Sequence, residues 1–504
     1  MVNLQPIKGA SPSSPRSEPS APDSAAVAVV DGRRISRRES QLSRDVLLQT
    51  SASANYQALW AAVQMSVTTA GDRLGYLERA GIVPDQAVRA ATHFGPVGIH
   101  HQNGANVQFQ LARMRVDKVE LPGQGASANL SRHNVLDVIP LVLPDRHEAH
   151  TIDTGKYLAN RISSGVVEHA RHHGCDLFCG GGSAEMLDYY VGRGFDKAVK
   201  VSSNTSTQCH LFSSSSNGQS VLVLSGMNNE TRIKHQLLQL HFAEVDLGRV
   251  DLVGSVETLK AQSAAKLREA LSLLPDTERR TLFIGARWQI MEFLGKQVYG
   301  VDDAQPEGVG YGALNPRTHD VGGFLFDTAT VEINERQHLM AALRMPNGDL
   351  AYDATKAFLD HGFNQVVMCG AGGRMAGKAR VGDYMVMDRS RYGSRDIALA
   401  PESIQIPSAG IFSAVSRCSN VTVDSPLQET KRWLDENIKM GSVDVETAHI
   451  FRALDEAGPG VRVLPGLFVS DVVGVHPLEG KISTADAYRK LPDFVAAVLH
   501  SIRE

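Results

Sequence analysis

Two carboxylates flank a single valine in the stretch GSVDVETAHIFRAL, residues 441–454, where a polar segment gives way to an apolar run with helical periodicity. Acids at the entry to a core need an explanation, because burying an unpaired carboxylate is costly. On a helix, side chains two positions apart point in different directions, so Asp444 and Glu446 would not face one ligand together. The pattern leaves two interpretations: one acid caps the helix start, or both are solvated acids of its first turn.

A third acid and a group of glycines follow apolar strands in the same half of the chain. Asp471 ends the apolar strand in LFVSDVVG, residues 467–474, and α/β folds bind ligands at the carboxyl edge of parallel strands. A Ser or Asp in this place also caps a following helix. The stretch CGAGGRM, residues 369–375, ends a predicted strand with glycines, which let the backbone approach a ligand and leave amide N–H groups free for its oxygens. Glycines after a strand also form ordinary turns.

Taken in chain order, four motifs resemble the purine nucleoside phosphorylase and nucleosidase superfamily: the Gly-rich strand end, VGDYMVMD, VDVETA and VSD. ALRMPNGDLAYDATKAFLDHG is similar to the glycine-containing loop and helix of that family, VTVDSPLQETKRWLDENIKMGSVDVETAHIF to its approach to the acidic motif, and TLFIGA to its first strand. The resemblance covers residues 278–504. It implies an α/β fold, namely a nucleoside-phosphorylase-like three-layer αβα domain with a mixed central sheet, preceded by a separate α/β domain of unknown type.

The resemblance also implies roles for individual residues. In that family, a glutamate at the position of Glu446 accepts hydrogen bonds from the ribose hydroxyls, and the backbone around Val445 lies against the sugar. The aspartate matching Asp471 is the catalytic acid, which shares a proton with N7 of a purine while the glycosidic bond breaks through an oxocarbenium-like state. Members specific for pyrimidines generally lack this acid, so a purine is expected. The remaining substrate-side residues are Asn347, Gly348, Gly370, Ala371 and Gly372.

The nucleophile side implied by the resemblance consists of Gly285, Arg287 and Gly373. Phosphorylases of the family hold phosphate with arginines and with a Ser or Thr in the glycine loop. Here Ala371 stands in place of that hydroxyl, and Met368 stands where one group of phosphorylases has arginine. Water is therefore favoured as the nucleophile, with phosphate as the alternative co-substrate, since other arginines can rebuild a phosphate site. No other cofactor and no metal are expected. The competing class is a binding or effector module that senses a nucleoside without cleaving it.

A chain of two domains in which VSD is followed by HPLEGKI also resembles bacterial AMP nucleosidase. That enzyme pairs an N-terminal domain with the same catalytic fold, so a purine nucleotide joins the candidate substrates. The N-terminal half of this chain shows no clear match to it. Members of the superfamily form dimers, trimers or hexamers, and the resemblance therefore implies a homo-oligomer that binds a small molecule.

Composition limits the classes of partner. The 504 residues are about three times a typical domain, and the hydrophobic content of 42% and charged content of 21% are those of an ordinary soluble protein. Lys and Arg number 51 against 55 acids, a net charge of -4 that gives no electrostatic reason to expect nucleic acid or a membrane surface. The five cysteines fit neither a zinc site nor a disulfide framework, which favours a reducing, cytoplasmic location.

The pattern along the chain predicts three parts. Residues 1–45 are rich in Ser and Pro and are expected to be a disordered leader, whose composition is also similar to that of leaders of bacterial proteins exported into host cells. Residues 46–277 are expected to form one or more α/β domains of unknown role, with helices at 55–81 and 155–174 and a parallel, layered sheet across 155–255. The charged break PDTERR precedes the catalytic domain at 278–504. GGGSAEM, residues 180–186, is a second candidate site, for an anion at a helix start.

Overall fold

The computed structural model describes residues 115–122, 129–159, 161–162, 164–202, 207–302, 305–408, 410–475 and 484–503, together with four short strands before them. These strands are β1 (Val27–Val30), β2 (Arg33–Ser36), β3 (His100–His101) and β4 (Val107–Gln108). β1 and β2 pair as an antiparallel hairpin inside the predicted leader. The rest of that leader and the predicted helix at 55–81 lie outside the described residues.

Within the described residues from 115 onward, the N-terminal half contains a mixed sheet of seven strands. Its strands are β5 (Arg115–Val119), β6 (Arg132–Asn134), β7 (Cys175–Cys179), β8 (Lys197–Ser202), β9 (Gln208–Ser213), β10 (Ser220–Ser225) and β11 (Val250–Gly254). They lie in the order β5-β8-β9-β10-β7-β11-β6, and β7 is parallel to both β10 and β11. The prediction of a parallel sheet is correct for β7 with its neighbours β10 and β11. It is wrong for β9, because the short connections on either side of this strand force antiparallel pairing with β8 and β10.

Six helices accompany this sheet: α1 (Val135–Val138), α2 (Thr154–Ala159), α3 (Ser164–His173), α4 (Ser183–Gly192), α5 (Glu230–Phe242) and α6 (Val256–Ser272). The single helix predicted at 155–174 is divided into α2 and α3. The reason lies in the Ser-Ser-Gly sequence at 163–165, which favours a helix start over a helix interior. α5 and α6 each begin after a side chain that caps the helix, Asn229 and Ser255 respectively.

The C-terminal half contains a mixed sheet of eleven strands. These are β12 (Arg279–Gly285), β13 (Arg317–Val321), β14 (Phe324–Ile333), β15 (Arg336–Arg344), β16 (Gln365–Arg374), β17 (Tyr384–Tyr392), β18 (Arg395–Ala398), β19 (Ser416–Thr422), β20 (Gly441–Asp444), β21 (Arg462–Leu464) and β22 (Gly466–Val472). The helices are α7 (Arg287–Tyr299), α8 (Val309–Leu314), α9 (Leu350–Asp360), α10 (Lys431–Asn437), α11 (Thr447–Ala457), α12 (Thr484–Ala487) and α13 (Leu491–Arg503). Pro465 separates β21 from β22, because it has no N–H to donate to a ladder.

Helices cover both faces of this sheet, because its central strands are apolar on both sides. Along β12, Leu282 and Ile284 pack into one core with α6, α9 and α11, while Phe283 packs into a second core with α7 and α13. Successive side chains of a strand point to opposite faces, so a strand that is apolar at every position requires two covering layers. Within the described residues, no helix is both long enough and apolar enough to cross a membrane.

Five strands of the C-terminal sheet close into a ring. β16 pairs with β22, β22 with β17, β17 with β19, β19 with β20, and β20 again with β16. β16 continues as a paired strand through Gly370–Gly373 to Arg374. The prediction that these glycines follow the strand is therefore wrong, because backbone pairing with β20 and β22 extends the strand through them. Because these glycines have no side chains, Asp471 of β22 and the backbone of β20 can lie close to β16.

Candidate active site

Asp444 is buried and hydrogen-bonded on every side. Its carboxylate accepts hydrogen bonds from Asn420 Nδ2 at 2.8 Å, from Thr422 Oγ1 at 3.0 Å, and from the backbone N–H and the hydroxyl of Thr447, the first residue of α11. Asp444 therefore joins β19 and β20 and satisfies an N–H group at the start of the helix. Of the two interpretations of the sequence, the cap applies to Asp444, and solvated acids are excluded because Asp444 and Glu446 are only 7% and 8% exposed.

We predict that Asp444→Asn lowers the free energy of unfolding by about 2–4 kcal/mol, since an amide presents a donor to groups that are themselves donors in a buried network. The measurement is chemical or thermal unfolding of the full chain. Asp435→Asn on the exposed surface of α10 is the matched control and is expected to leave stability nearly unchanged. A loss in Asp444→Asn no larger than in that control would refute a structural role for Asp444.

Glu446 lies between β20 and α11, and its carboxylate has a different environment from that of Asp444. Its Oε1 accepts a hydrogen bond from the N–H of Gly348 at 3.4 Å, and the backbone N–H of Val445 also donates to the carboxylate. Burial, and then the charge of Asp444, raise the pKa of Glu446 well above its ordinary value. Among the described residues, no side chain donates to this carboxylate, so a buried acid retains capacity to accept hydrogen bonds from a ligand.

Asp471 belongs to β22, is 4% exposed, and accepts a hydrogen bond from the hydroxyl of Ser470 at 2.6 Å. Burial raises the pKa of its carboxyl. A further acid, Glu429, lies near it and is 3% exposed. Burial, and then the charge of Asp471, raise the pKa of Glu429 well above its ordinary value. A nearby like charge disfavours ionisation, so burial and the charge of Asp471 both favour the protonated form of Glu429.

The acids lie at one end of the ring of strands. Gly373 of β16 is opposite Asp471 of β22 on one side and opposite Val443 of β20 on the other. A Cβ at Gly373 would lie 3.1 Å from Asp471 Oδ2, so the absence of a side chain there makes room for the carboxylate. β22 and β20 are two strand spacings apart, roughly 10 Å between backbones. Asp471 and the segment leading to Glu446 therefore occupy neighbouring places on the same rim.

The other glycines of β16 are packed between side chains. A Cβ at Gly370 would meet the Met345 side chain, and one at Gly372 would meet Leu467 and the backbone carbonyl of Val443. Ala371 lies opposite Phe468 in the pairing with β22. Met368 is fully buried in the core on the α9 side of the sheet.

Arg287 is the first residue of α7, and its guanidinium forms an ion pair with Asp327. Asp327 is fully buried and also accepts a hydrogen bond from Thr318 Oγ1 at 2.7 Å. Gly285, two residues earlier, lies against the backbone of Cys369 and Gly370, where a Cβ would be only 2.3 Å from the Cys369 carbonyl. The positive charge predicted for the nucleophile side is therefore already balanced by a buried aspartate.

The N-terminal half contacts the loop that contains Asn347 and Gly348. Asn229 Nδ2 donates to the carbonyl of Asn347 at 2.9 Å, and the N–H of Thr231 donates to Asp349 Oδ1 at 3.1 Å. Gly348 has a φ of 55°, and Thr231 fills the place of its missing side chain at 2.3–2.5 Å from a Cβ. Only glycine satisfies both the positive φ and this close approach.

Sequence reasoning missed Glu429 and the involvement of the N-terminal half. The motif SPLQET, residues 425–430, is typical of a Pro-containing turn followed by a helix cap. The structure has these two features, a 3-10 turn at Pro426–Gln428 and a helix cap at Thr430. Nothing in that pattern indicates that Glu429 points into a buried site. The contact depends on residues more than 40 positions away in the chain, which periodicity does not detect.

A cleft lies between α5, β17 and α10. It measures about 800 Å³ and runs between the two halves, lined by Lys234, Tyr392, Asp424, Trp433 and neighbouring residues. A second cavity of about 180 Å³ lies at Gly182 and Ser183, where the sequence predicts an anion site. Neither cavity is lined by Asp471 or Glu446. Within the described part of the chain, no cluster of His, Cys, Asp or Glu is arranged to hold a metal ion.

No family model and no curated protein sequence matches this chain. Solved structures that are similar to it include MTAN of Helicobacter pylori (11% identity, TM-score 0.32, covering 45% of this chain and 97% of that one) and S-adenosylhomocysteine nucleosidase of Streptococcus pyogenes in complex with 5-methylthiotubericidin (13%, 0.33, 46% and 98%). Purine nucleoside phosphorylase of Schistosoma mansoni in complex with adenosine has 13% identity and a TM-score of 0.34, over 50% of this chain and 98% of that one. At these values the likeness does not by itself assign a fold or an activity to this chain.

Proposed function

We propose that residues 278–504 form a nucleoside-phosphorylase-like domain that cleaves the N-glycosidic bond of a purine nucleoside or nucleotide. The observation that supports this most is that the segment leading to the buried Glu446 and the buried Asp471 border the same glycine, Gly373, while a third buried acid, Glu429, is close enough to Asp471 to respond to its charge. Burying three acids without countercharges is costly, and the cost is offset when a ligand supplies hydrogen-bond donors. A nucleoside has such donors at both ends, on its sugar and on its base.

Glu446 would bind the ribose. Its carboxylate can accept two hydrogen bonds at once, which matches the vicinal hydroxyls of a ribose, and the two backbone N–H groups that hold it leave the remaining lone pairs available. Such bonds to ribose hydroxyls strengthen as charge develops on the sugar in an oxocarbenium-like transition state.

Asp471 would assist the departure of the base, with Glu429 as its partner. Burial raises the pKa of Asp471, and the protonated carboxyl would donate its proton to N7 as the electrons of the C1′–N9 bond move into the purine. Glu429 would accept a hydrogen bond from an N–H group on the base. The attacking water bonds to C1′ and releases a proton to solvent, so the products are free ribose and free base.

Water rather than phosphate is favoured as the nucleophile. A phosphate site needs uncommitted positive charge and hydroxyl donors. Here the guanidinium of Arg287 is paired with Asp327, and Ala371 provides no hydroxyl. Phosphate as co-substrate is the alternative, and the second candidate function is a nucleoside-sensing module. The sensor is favoured by the altered glycine loop, in which Ala371 provides no hydroxyl.

The test is incubation of the full chain with adenosine, inosine, AMP and methylthioadenosine, with and without inorganic phosphate, followed by chromatography of the free base. Base released without phosphate supports the nucleosidase. Base released only with phosphate identifies a phosphorylase. Binding without release supports the sensor, and neither binding nor release with any of the four compounds removes the proposal.

We expect kcat/KM for a purine nucleoside to fall as pH rises, because the reaction needs a proton on Asp471. Burial raises the pKa of this carboxyl, so activity should persist at pH values where an ordinary aspartate, with a pKa of 3.8, is ionised. Glu429→Gln removes a nearby group that can carry a negative charge, which favours the ionised form of Asp471, so the alkaline limb should move to lower pH. A pH–rate profile of wild type and variant measures both effects, and an unmoved limb in the variant would contradict an electrostatic influence of Glu429 on Asp471.

A further inference from the structure

One helix of the N-terminal half reaches both loops that border the candidate active site. Asn229, which caps α5, contacts the loop before α9, and His235 in the second turn of α5 contacts the segment before α10. Six residues separate these side chains, about 9 Å along the helix axis. This length of about 9 Å is close to the roughly 10 Å between β20 and β22, which are two strand spacings apart.

The contact on the ribose side acts on the peptide that holds Glu446. Asn229 is fully buried, its Nδ2 donates to the carbonyl of Asn347, and the next residue, Gly348, donates its N–H to Glu446 Oε1. Thr231 adds a reciprocal pair of hydrogen bonds with Asp349, at 3.1 and 3.2 Å. A shift of this loop would therefore move the donor that orients the Glu446 carboxylate.

The contact on the base side acts on the segment that contains Glu429. His235 Nδ1 forms a hydrogen bond of 2.7 Å with Ser425 Oγ, and Ser425 Oγ accepts from the N–H of Leu427 at the start of the 3-10 turn. At the far end of that turn, the N–H of Thr151 donates to the carbonyl of Glu429 at 3.0 Å. The segment is thus held at both ends by the N-terminal half.

We infer that α5 is a positioning element of the active site, in which Asn229 sets the ribose-binding Glu446 and His235 sets the base-binding Glu429. The inference rests on the proposed function of the C-terminal half. It assigns a role to the N-terminal half, which otherwise has none: that half fixes the geometry of a pocket whose reacting groups all belong to the other half. Its two positioning residues should also be separable, because each acts on a different end of the substrate.

Asn229→Asp tests the ribose side without removing the helix cap. Aspartate caps a helix as well as asparagine does, so the acceptor for the Arg232 N–H is kept, but a carboxylate cannot donate to the Asn347 carbonyl. We expect kcat/KM for adenosine to fall about 10- to 100-fold, as displacement of an orienting group does. The loss for 2′-deoxyadenosine should be smaller, so the ratio of kcat/KM for adenosine to kcat/KM for 2′-deoxyadenosine (the ribo/deoxy ratio) should decrease.

Asn134→Asp is the matched control. Asn134 also caps a helix with Oδ1 and donates from Nδ2 to backbone carbonyls, but all its partners belong to the N-terminal half. It should leave the ribo/deoxy ratio unchanged. An unchanged ratio in Asn229→Asp, or an equal change in both variants, would overturn the inference for the ribose side.

His235→Leu tests the base side and should reduce the preference for adenosine over purine riboside, which lacks the 6-amino group, while leaving the ribo/deoxy ratio unchanged. His235→Asn, whose amide lies near the position of Nδ1, should restore part of the preference for adenosine over purine riboside. Equal losses on all substrates would overturn the division of roles. If the wild-type chain binds nucleosides without cleaving them, the same ratios are read from Kd values. A wild-type chain that does neither removes the proposed function, and the inference falls with it.

Discussion

Glu446→Gln is expected to lower kcat/KM for a purine ribonucleoside about 10²- to 10³-fold, the loss that follows removal of one preorganised electrostatic contact to a transition state. The amide keeps the shape of the side chain but replaces one acceptor by a donor, so it can no longer accept from both ribose hydroxyls. The measurement is the rate of base release under subsaturating substrate. The melting temperature should change little, because the carboxylate of Glu446 receives only backbone N–H groups among the described residues.

Glu456→Gln is the control for this variant. Glu456 is on the same helix, α11, is exposed, and pairs at the surface with Arg452. Surface pairs of this kind contribute little to stability, and this one is remote from the rim. Near-normal turnover in Glu446→Gln, or an equal loss in Glu456→Gln, would remove Glu446 from the site.

Asp471→Asn is expected to lower kcat/KM for adenosine about 10²- to 10⁴-fold, the usual contribution of a general acid. The amide cannot deliver a proton to N7. The loss should depend on the leaving group: 7-methylguanosine already has a cationic base that departs without protonation at N7, so its rate should fall far less. Comparison of the two substrates in wild type and variant measures the proton transfer itself.

Asp388→Asn, an exposed position on β17 of the same sheet, should leave both rates unchanged. Equal losses of the variant Asp471→Asn on adenosine and on 7-methylguanosine would show that Asp471 supports binding or packing and does not act as an acid. A loss on adenosine alone, with a normal melting temperature, is the result that the proposal requires.

Local patterns were sufficient for the elements that are apolar throughout or strictly periodic. The apolar stretch that ends at Asp471 forms β22, and the periodic run that follows Glu446 forms α11. The same patterns failed where backbone pairing decided the outcome. The glycines after Cys369 look like a loop in sequence, but two neighbouring strands extend β16 through them.

The candidate site was predictable only where its residues form local motifs. Asp471 ends an apolar strand and Glu446 precedes a periodic helix, and both are named because these motifs resemble those of a known family; their roles stay predictions. Glu429 could not be named, because it becomes a site residue only when the segment 425–431 is held by residues 149–152 and by His235. The ion pair of Arg287 with Asp327 was equally hidden, since the two residues are 40 positions apart and meet through the sheet.

Helix α6 has a consequence for how the chain can be divided. It precedes β12 and belongs by sequence to the N-terminal half, but Leu267 and Leu271 are embedded in the core of the C-terminal sheet. A fragment that begins at residue 278 would lack these two leucines, and the apolar core surface that they cover would be exposed to water. A soluble fragment of the C-terminal half would have to begin at Ser255, upstream of the charged segment PDTERR. Its first helix, α6, would then cover the core of its own sheet.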